Sequence, residues 1–433
     1  MVGSAVSPRG QNPAVLIALY RRQIFFLMKS RRRSGSRKPE TASTLHLKGF
    51  ADRLVASAES ELQGPDVLVL LLQGTTLATA LKNARPELNF TFFTPEHFFF
   101  NTLQEYHPEC QSVPEPSTEP SDKSAALNLT AGDRFVRIGA EAGTGRKIRL
   151  VCSADPPEDL FDSVALPTSA TGNAEQTQEL IQTAHERLKI GGRLIVSTNN
   201  AKDHWLHEQL KNHFGRTTVK PQREGVVYIA HKTEPLKKLK EFRASSAFRF
   251  QGDLLHVETL PGVFSHRRVD GGARALIRSL ELLRPEYALP DEKVFEPKNI
   301  VDLGCGSGAV GLAAAVQYPN ARVLAVDSHA RATLCAARSA AKNGIDRVRT
   351  LLTSDAAIPN QNSWDLILTN PPYYSDFRIS ELFLTSSHRA LRPGGRIHLV
   401  TKLTDWHEER MEQLFRDIDT VTIGEYDVIT AKK

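Results

Sequence analysis

Apolar runs broken at regular intervals divide the chain into short strands and amphipathic helices. Residues 66–72 (DVLVLLL) form an unbroken apolar run stopped by Gln73-Gly74, which predicts a buried strand. Residues 76–84 predict a helix and residues 90–93 a second strand. Further strands are predicted at 148–152, 163–166, 193–197 and 226–231, with a helix over 176–188. Strands that alternate with helices imply a parallel α/β sheet. A stretch rich in Pro and Ser, residues 111–123, predicts an exposed loop. A basic run, Lys237-Lys238-Leu239-Lys240, follows the last of these strands and sets a domain boundary within 232–249.

The second half repeats the alternation. Residues 299–303 predict a strand, 304–311 a glycine-rich turn, 310–317 an Ala-rich helix and 322–327 the next strand. A later strand, 364–369, runs into Asn370-Pro371-Pro372-Tyr373, and Pro393-Gly394-Gly395 predicts a turn before a strand at 396–400. The halves also match each other. A separation of 203 residues pairs Phe161 with Trp364, Asp162 with Asp365, His185 with His388, and Gly191-Gly192-Arg193 with Gly394-Gly395-Arg396. One register held without a gap implies an internal duplication. At that register Pro167, Thr168, Ser169 and Ala170 face Asn370, Pro371, Pro372 and Tyr373, and no glycine turn follows DVLVLLL. The first half reads as a copy that kept the fold and lost the chemistry.

A length of 433 residues predicts two or three domains, and 40% hydrophobic with 24% charged residues is globular composition. The four cysteines, Cys110, Cys152, Cys305 and Cys335, form no CxxC pair, which argues against a zinc ribbon or secreted disulfide framework and fits a reducing, cytoplasmic setting. Residues 1–40 hold nine basic residues and one acid, a net +8; the whole chain is +6, so the remainder carries −2. Nucleic-acid binding through bulk charge is thus confined to the leading segment or to local patches such as 237–240. Within that segment, residues 14–28 are apolar but interrupted by Arg21 and Arg22, too short for the roughly 20 residues of a spanning helix. The charges lie inside the run, against a signal peptide. The segment reads as a disordered extension with Met28 an alternative start, then as a phosphate-touching arm centred on Arg31-Arg32-Arg33, then as an organelle-type presequence. No later window is long and apolar enough to span a membrane.

The chemistry concentrates in three places. Val301 to Gly311 reads VDLGCGSGAVG, and Gly306, Gly308 and Gly311 satisfy GxGxxG, a weak signal for a dinucleotide site. Glycines at a strand end let the backbone approach a nucleotide-type ligand, while the helix after them offers free N–H groups. Asp302 shifts the balance: it would repel a pyrophosphate but suits a cationic ligand such as the amino-acid part of S-adenosylmethionine. Asp327, ending the next strand, can accept from both ribose hydroxyls, or can cap the following helix. Asp355 can accept from an adenine amino group, or is a loop carboxylate. Asn370-Pro371-Pro372-Tyr373 is the most specific signal, placed after a strand at the carboxyl edge where such sheets bind ligands. The Asn370 side-chain oxygen and the Pro371 carbonyl can accept from one planar NH₂ group, and Tyr373 can stack on the ring that bears it. The alternative is a rigid Pro-Pro turn without a ligand. No HExxH or comparable spacing predicts a metal, His388 and His407 read as surface residues, and Ser307 lies in no GxSxG elbow.

Together these motifs resemble class I S-adenosylmethionine-dependent methyltransferases acting on nitrogen. Residues 259–280, with PGVFS followed by Asp-x-Gly and a helix, extend the resemblance to the tandem-domain bacterial ribosomal RNA (guanine-N2)-methyltransferases. The resemblance covers residues 46–433 as architecture and is motif-dense from Thr259 onward. It implies two tandem Rossmann-like domains with mostly parallel sheets: a basic extension over 1–45, a degenerate domain over 46–235 that helps folding and RNA binding, and a catalytic domain over 236–433. It implies S-adenosylmethionine as cofactor, held by Asp302, Gly304, Gly306, Gly308, Asp327 and Asp355. Phe264 and Asp270 would border the cofactor and target pocket, unless they are a core Phe and a helix cap. Asn370, Pro371, Pro372 and Tyr373 would carry catalysis on a guanine amine of ribosomal RNA, in a monomer. Tyr373 and Tyr374 depart from the family's Phe and His after NPP, which leaves the nucleoside open. Other NPPY enzymes, acting on protein glutamine or DNA adenine, present the same planar NH₂. A non-catalytic RNA-binding or ribosome-assembly factor and, further off, a dehydrogenase are the remaining alternatives.

Overall fold

The structure, a computed structural model, describes residues 49–72, 74–112, 135–140, 145–281, 295–372 and 377–433. The basic segment, most of the Pro- and Ser-rich stretch, and Tyr373 and Tyr374 lie outside the described residues.

The first half builds a nine-stranded sheet. Its strands are β1 (Asp66–Leu70), β2 (Asn89–Thr94), β3 (Gln111–Ser112), β4 (Phe135–Ala140), β5 (Lys147–Cys152), β6 (Phe161–Thr168), β7 (Leu188–Thr198), β8 (Arg216–Gln222) and β9 (Gly225–His231). Their order is β3-β4-β5-β2-β1-β6-β7-β9-β8, with a parallel centre and antiparallel edges. Helices α1 (Phe50–Ala56), α2 (Thr76–Ala84), α3 (His97–Tyr106), α4 (Ala174–Arg187) and α5 (Trp205–Lys211) accompany it. A hairpin of β10 (Ala244–Phe250) and β11 (Asp253–Thr259) then leads into the second half.

The second half contains α6 (Gly271–Glu281), β12 (Asn299–Leu303), α7 (Ala309–Gln317), β13 (Arg322–Asp327), α8 (Ala330–Lys342) and β14 (Val348–Leu352). It continues with β15 (Trp364–Thr369), α9 (Arg378–Ala390), β16 (Leu391–Thr401), α10 (Thr404–Glu412), β17 (Arg416–Ile423) and β18 (Tyr426–Lys432). Its seven strands run in the order β14-β13-β12-β15-β16-β18-β17, parallel except for β18 against both of its neighbours.

Both sheets are covered on two faces, which is why their central strands read as unbroken apolar runs. In β1, Val67 and Val69 enter one core and Leu68 and Leu70 the other. In β12, Val301 and Leu303 face one core and Ile300 the opposite one. Alternation places Asp302 on the Ile300 face, where burial favours an apolar residue.

The duplication extends further than the sequence reading found. β1, α2 and β2 correspond to β12, α7 and β13 at a separation of 233 residues. After the irregular β3–β4 region the separation falls to 203, and β6 and β7 pair with the same register shift as β15 and β16. Asp162 and Asp365 do the same work: each accepts backbone N–H bonds at the start of its sheet's first strand, from Asp66 or from Lys298 and Asn299. Each also holds a cation, Lys189 at 2.9 Å or Arg392 at 2.5 Å.

Several expectations are corrected. Residues 393–395 do not form a turn ahead of β16 but a bulged part of it. The helix α3, which starts at His97 and buries Phe100 and Leu103, was not among the expected elements. His407 is buried, its Nδ1 bonded to the Leu403 carbonyl and near the Thr401 hydroxyl, and is no surface residue.

Candidate active site

The site lies at the carboxyl edge of β12, β13 and β15, where neighbouring connections depart to opposite faces of the sheet. The turn after β12 is left-handed at Gly304, Gly306 and Gly308, with φ of 77°, 52° and 81°. These glycines do different things. A Cβ at Gly306 would meet nothing within 4 Å, so this backbone stands open to a ligand. A Cβ at Gly308 would come within 2.8 Å of the Ala336 backbone, so Gly308 lets α8 pack closely against the start of α7.

A pocket brings together Asp302, Gly304, Gly306, Phe264, Asp270 and Asn370. Asp302 is 2% exposed and accepts from the Gly311 N–H at 2.8 Å. Burial pushes its carboxyl up to about 7. Asp327 joins the site through the turn: it accepts from the Gly306 N–H at 2.9 Å and the His329 N–H at 3.0 Å. Burial raises its pKa against the pull of those N–H groups. Asp355 stands apart, exposed beyond β14, and accepts from the Ala357 N–H and the Thr353 hydroxyl. The Thr353 hydroxyl is the main reason its carboxyl is held below the usual range.

Asp270 caps α6 by accepting from the Gly272 N–H at 2.9 Å, and its same oxygen accepts from the Asn370 amide nitrogen at 3.2 Å. The cap and pocket readings of Asp270 are therefore both realised in one carboxylate. With its NH₂ engaged, the Asn370 amide is oriented with its carbonyl oxygen as the group available to a donor. Phe264 is 69% exposed and is no core residue. Pro371 is buried and Pro372 partly buried, directly after Asn370. Gly306 offers an open backbone beside the buried Asp302 carboxylate, with the diol-type acceptor Asp327 behind it. This set fits a ligand with a cationic end and a vicinal diol.

Residues not singled out as site residues also contribute. Gly272 has no side chain where one would crowd the Asn370 amide at 3.0 Å. Glu96, from the first half, receives the Ser328 hydroxyl at 3.3 Å. Burial, with Asp327 adding to it, pushes the Glu96 carboxyl up to about 7. Ser354, beside Asp355, receives the Asn101 amide at 3.1 Å and contacts His97 Nδ1 at 3.3 Å. The register at 233 residues, which lines 94–97 up with 327–330, was the signal that could have found Glu96.

The strand order of the second sheet, with its site on the carboxyl edge, defines a Rossmann-like class I methyltransferase fold. Residues 254–430 match the methyltransferase small domain model. Ribosomal RNA small subunit methyltransferase C of Hahella chejuensis is 34% identical over 175 residues, 39% of this chain and 47% of that protein. The chain thus matches about half the length of that relative. Ribosomal RNA large subunit methyltransferase G of Streptomyces coelicolor is 28% identical over 303 residues, 66% of this chain and 74% of that one. Among solved structures, the T. thermophilus 16S rRNA N2 G1207 methyltransferase, in complex with AdoMet and guanosine, superposes with a TM-score of 0.64. It is 21% identical and covers 88% of this chain and 91% of its own, so the fold of both halves is shared. Among the described residues, no helix is long and apolar enough to cross a membrane, and no cluster of His, Cys, Asp or Glu is poised to hold a metal.

Proposed function

We propose that the chain transfers a methyl group from S-adenosylmethionine to the exocyclic N2 amine of a guanine in ribosomal RNA. The observation that carries this reading is the Asp270–Asn370 hydrogen bond, which engages the amide nitrogen and leaves the amide oxygen as the acceptor on a residue that lines one pocket with Asp302 and the glycine turn. The similarity to ribosomal RNA methyltransferases supports the substrate class.

Asp302 takes the cationic amino-acid end of the cofactor, Gly304 and Gly306 let it approach the backbone, and Asp327 takes the ribose hydroxyls. Asp355 reaches the adenine amine, and Gly308 sets the helix that frames the turn. Bound there, the cofactor supplies an electrophilic sulfonium methyl. Asn370 and Pro371 accept the two N–H groups of the target amine, Pro372 fixes their backbone, and Tyr373 stacks on the base. The target amine would take that methyl group, with the sulfonium departing as a neutral thioether. One N–H proton then leaves to solvent. The base must be unpaired or extruded to enter, with Phe264 at the rim. Residues 236–433 carry the chemistry, 46–235 support it and bind RNA, and the chain acts as a monomer in the cytoplasm.

The test is tritiated methyl transfer to ribosomal subunits, free ribosomal RNA, DNA and release factors, followed by nucleoside mass analysis. N2-methylguanosine in one RNA is the expected product. Label in protein or DNA would overturn the substrate and keep the cofactor.

A further inference from the structure

The first half, which lacks the glycine turn and the NPPY segment, nevertheless grips the second half's site at two points. Both are next to a carboxylate assigned to the nucleoside. At the first, the His97 N–H donates to the Ser328 carbonyl at 2.9 Å and the Ala330 N–H to the Pro95 carbonyl at 2.8 Å. Between these bonds the Glu96 carboxylate receives the Ser328 hydroxyl. Ser328 follows Asp327 directly. At the second, Asn101 and His97 hold the Ser354 hydroxyl, and Ser354 precedes Asp355. The start of α3 and the residue before it thus hold the neighbours of both acids.

We infer that Glu96 and Asn101 are positioning residues of the cofactor site, through which the first domain sets Asp327 and Asp355 for the adenosine half of the ligand. The inference rests on the proposed cofactor. Neither residue reaches the reacting atoms. Their loss therefore lowers adenosine affinity without altering RNA affinity or the rate at saturation.

The test uses the full chain and its Glu96→Ala, Glu96→Gln, Asn101→Ala and Ser328→Ala variants, titrated with S-adenosylhomocysteine by calorimetry. Each alanine variant should bind about five- to tenfold more weakly, with KM for RNA and kcat at saturating cofactor within about twofold of wild type. Glu96→Gln keeps an acceptor for Ser328 and should restore affinity to within about twofold. Glu96→Ala and Ser328→Ala should be non-additive in a double-mutant cycle. Thermal unfolding is followed alongside, and Asn101→Ala reports independently should Glu96→Ala fold poorly. Alanine variants that bind as tightly as wild type overturn the inference alone. So do losses in cofactor and RNA affinity that move together with a falling Tm. A wild-type chain that binds neither S-adenosylhomocysteine nor S-adenosylmethionine overturns the proposed function with it.

Discussion

Glu96 and His329 face each other across an antiparallel backbone bridge, and they occupy the same position in their respective halves of the duplication. Each follows the second strand of its sheet by two residues, and the two flanking hydrogen bonds are images of one another. The halves therefore meet about a local two-fold relation through equivalent loops, as subunits of an isologous dimer do. In one loop Asp327 ends the strand; in the other, fully buried Thr94 stands there. The copy that lost its acid became the support for the copy that kept it.

Gly272→Ala should abolish most activity while leaving the fold intact. The added methyl would stand 3.0 Å from the Asn370 amide nitrogen and from the Asp270 carboxylate. These are side-chain ends that can shift, so the helix survives, and Ala is the better helix former by about 0.5–1 kcal/mol. A shift of about 1 Å in a positioning group costs about 100-fold in rate. Steady-state kinetics with cofactor binding measured separately should show the loss in kcat and an unchanged cofactor Kd. Wild-type kcat would remove the Asp270–Asn370 contact from the mechanism.

Arg331→Met should loosen the two halves. Arg331 is 2% exposed on α8 and donates to the Ala154 carbonyl at 2.8 Å, to Glu179, and to Asp155 at 3.2 Å, all in the first half. It also donates to the Pro261 carbonyl at 2.8 Å, tying down the loop that carries Phe264. Removing one partner of a buried ion pair strands the others, at about 3–5 kcal/mol. Urea unfolding should show that loss, with the first and second halves no longer melting together. A change under about 1 kcal/mol would mean that the other contacts between the halves suffice.

The sheet cores and the glycine turn were legible because they follow local rules. β12 and β13 and the α2 and β15 bounds match the periodicity reading residue for residue, each being an apolar element ended by a polar or glycine signal. The edge strands β8 and β17 were not legible, since exposed edges such as Arg216–Gln222 carry no apolar alternation. Asp302 and Asn370 stood out in the sequence as candidates and Asp270 only through the resemblance, while the bond between Asp270 and Asn370 spans 100 residues and has no local signature. Glu96 was hidden for the same reason: its partner Ser328 lies in the other half of the chain.

Asn370→Ala tests the amine-holding role directly. It removes one acceptor for the target NH₂ and leaves Asp302, the glycine turn and Asp327 untouched. Loss of one preorganised polar contact to the reacting group costs on the order of 100- to 1,000-fold in kcat. Single-turnover methyl transfer should fall by that factor while S-adenosylmethionine still binds. Equal loss of cofactor affinity would place Asn370 in the cofactor site instead.

The pH dependence isolates Asp302. Its folded carboxyl, pushed up to about 7 by burial, lies well above the ordinary 3.8. Between those values the folded chain keeps a proton that the unfolded chain has lost, so this group lowers stability as pH rises. The cost is absent below pH about 4 and complete above pH about 7, reaching at most about 4 kcal/mol. Glu96 and Asp327 shift in the same direction, so wild type alone does not resolve the group. The difference between Asp302→Asn and wild type does. An asparagine oxygen still accepts from the Gly311 N–H but never ionises. The variant should match wild type in Tm near pH 4, exceed it increasingly up to about pH 7 and hold that margin above. A cationic ligand reverses the penalty by pairing with the ionised carboxylate. The Tm gain from S-adenosylmethionine should therefore grow from pH 6 to 8 in wild type and stay flat in Asp302→Asn. A gain that grows equally in both would show that the cation is met elsewhere, and that Asp302 serves only to fix the turn at Gly311.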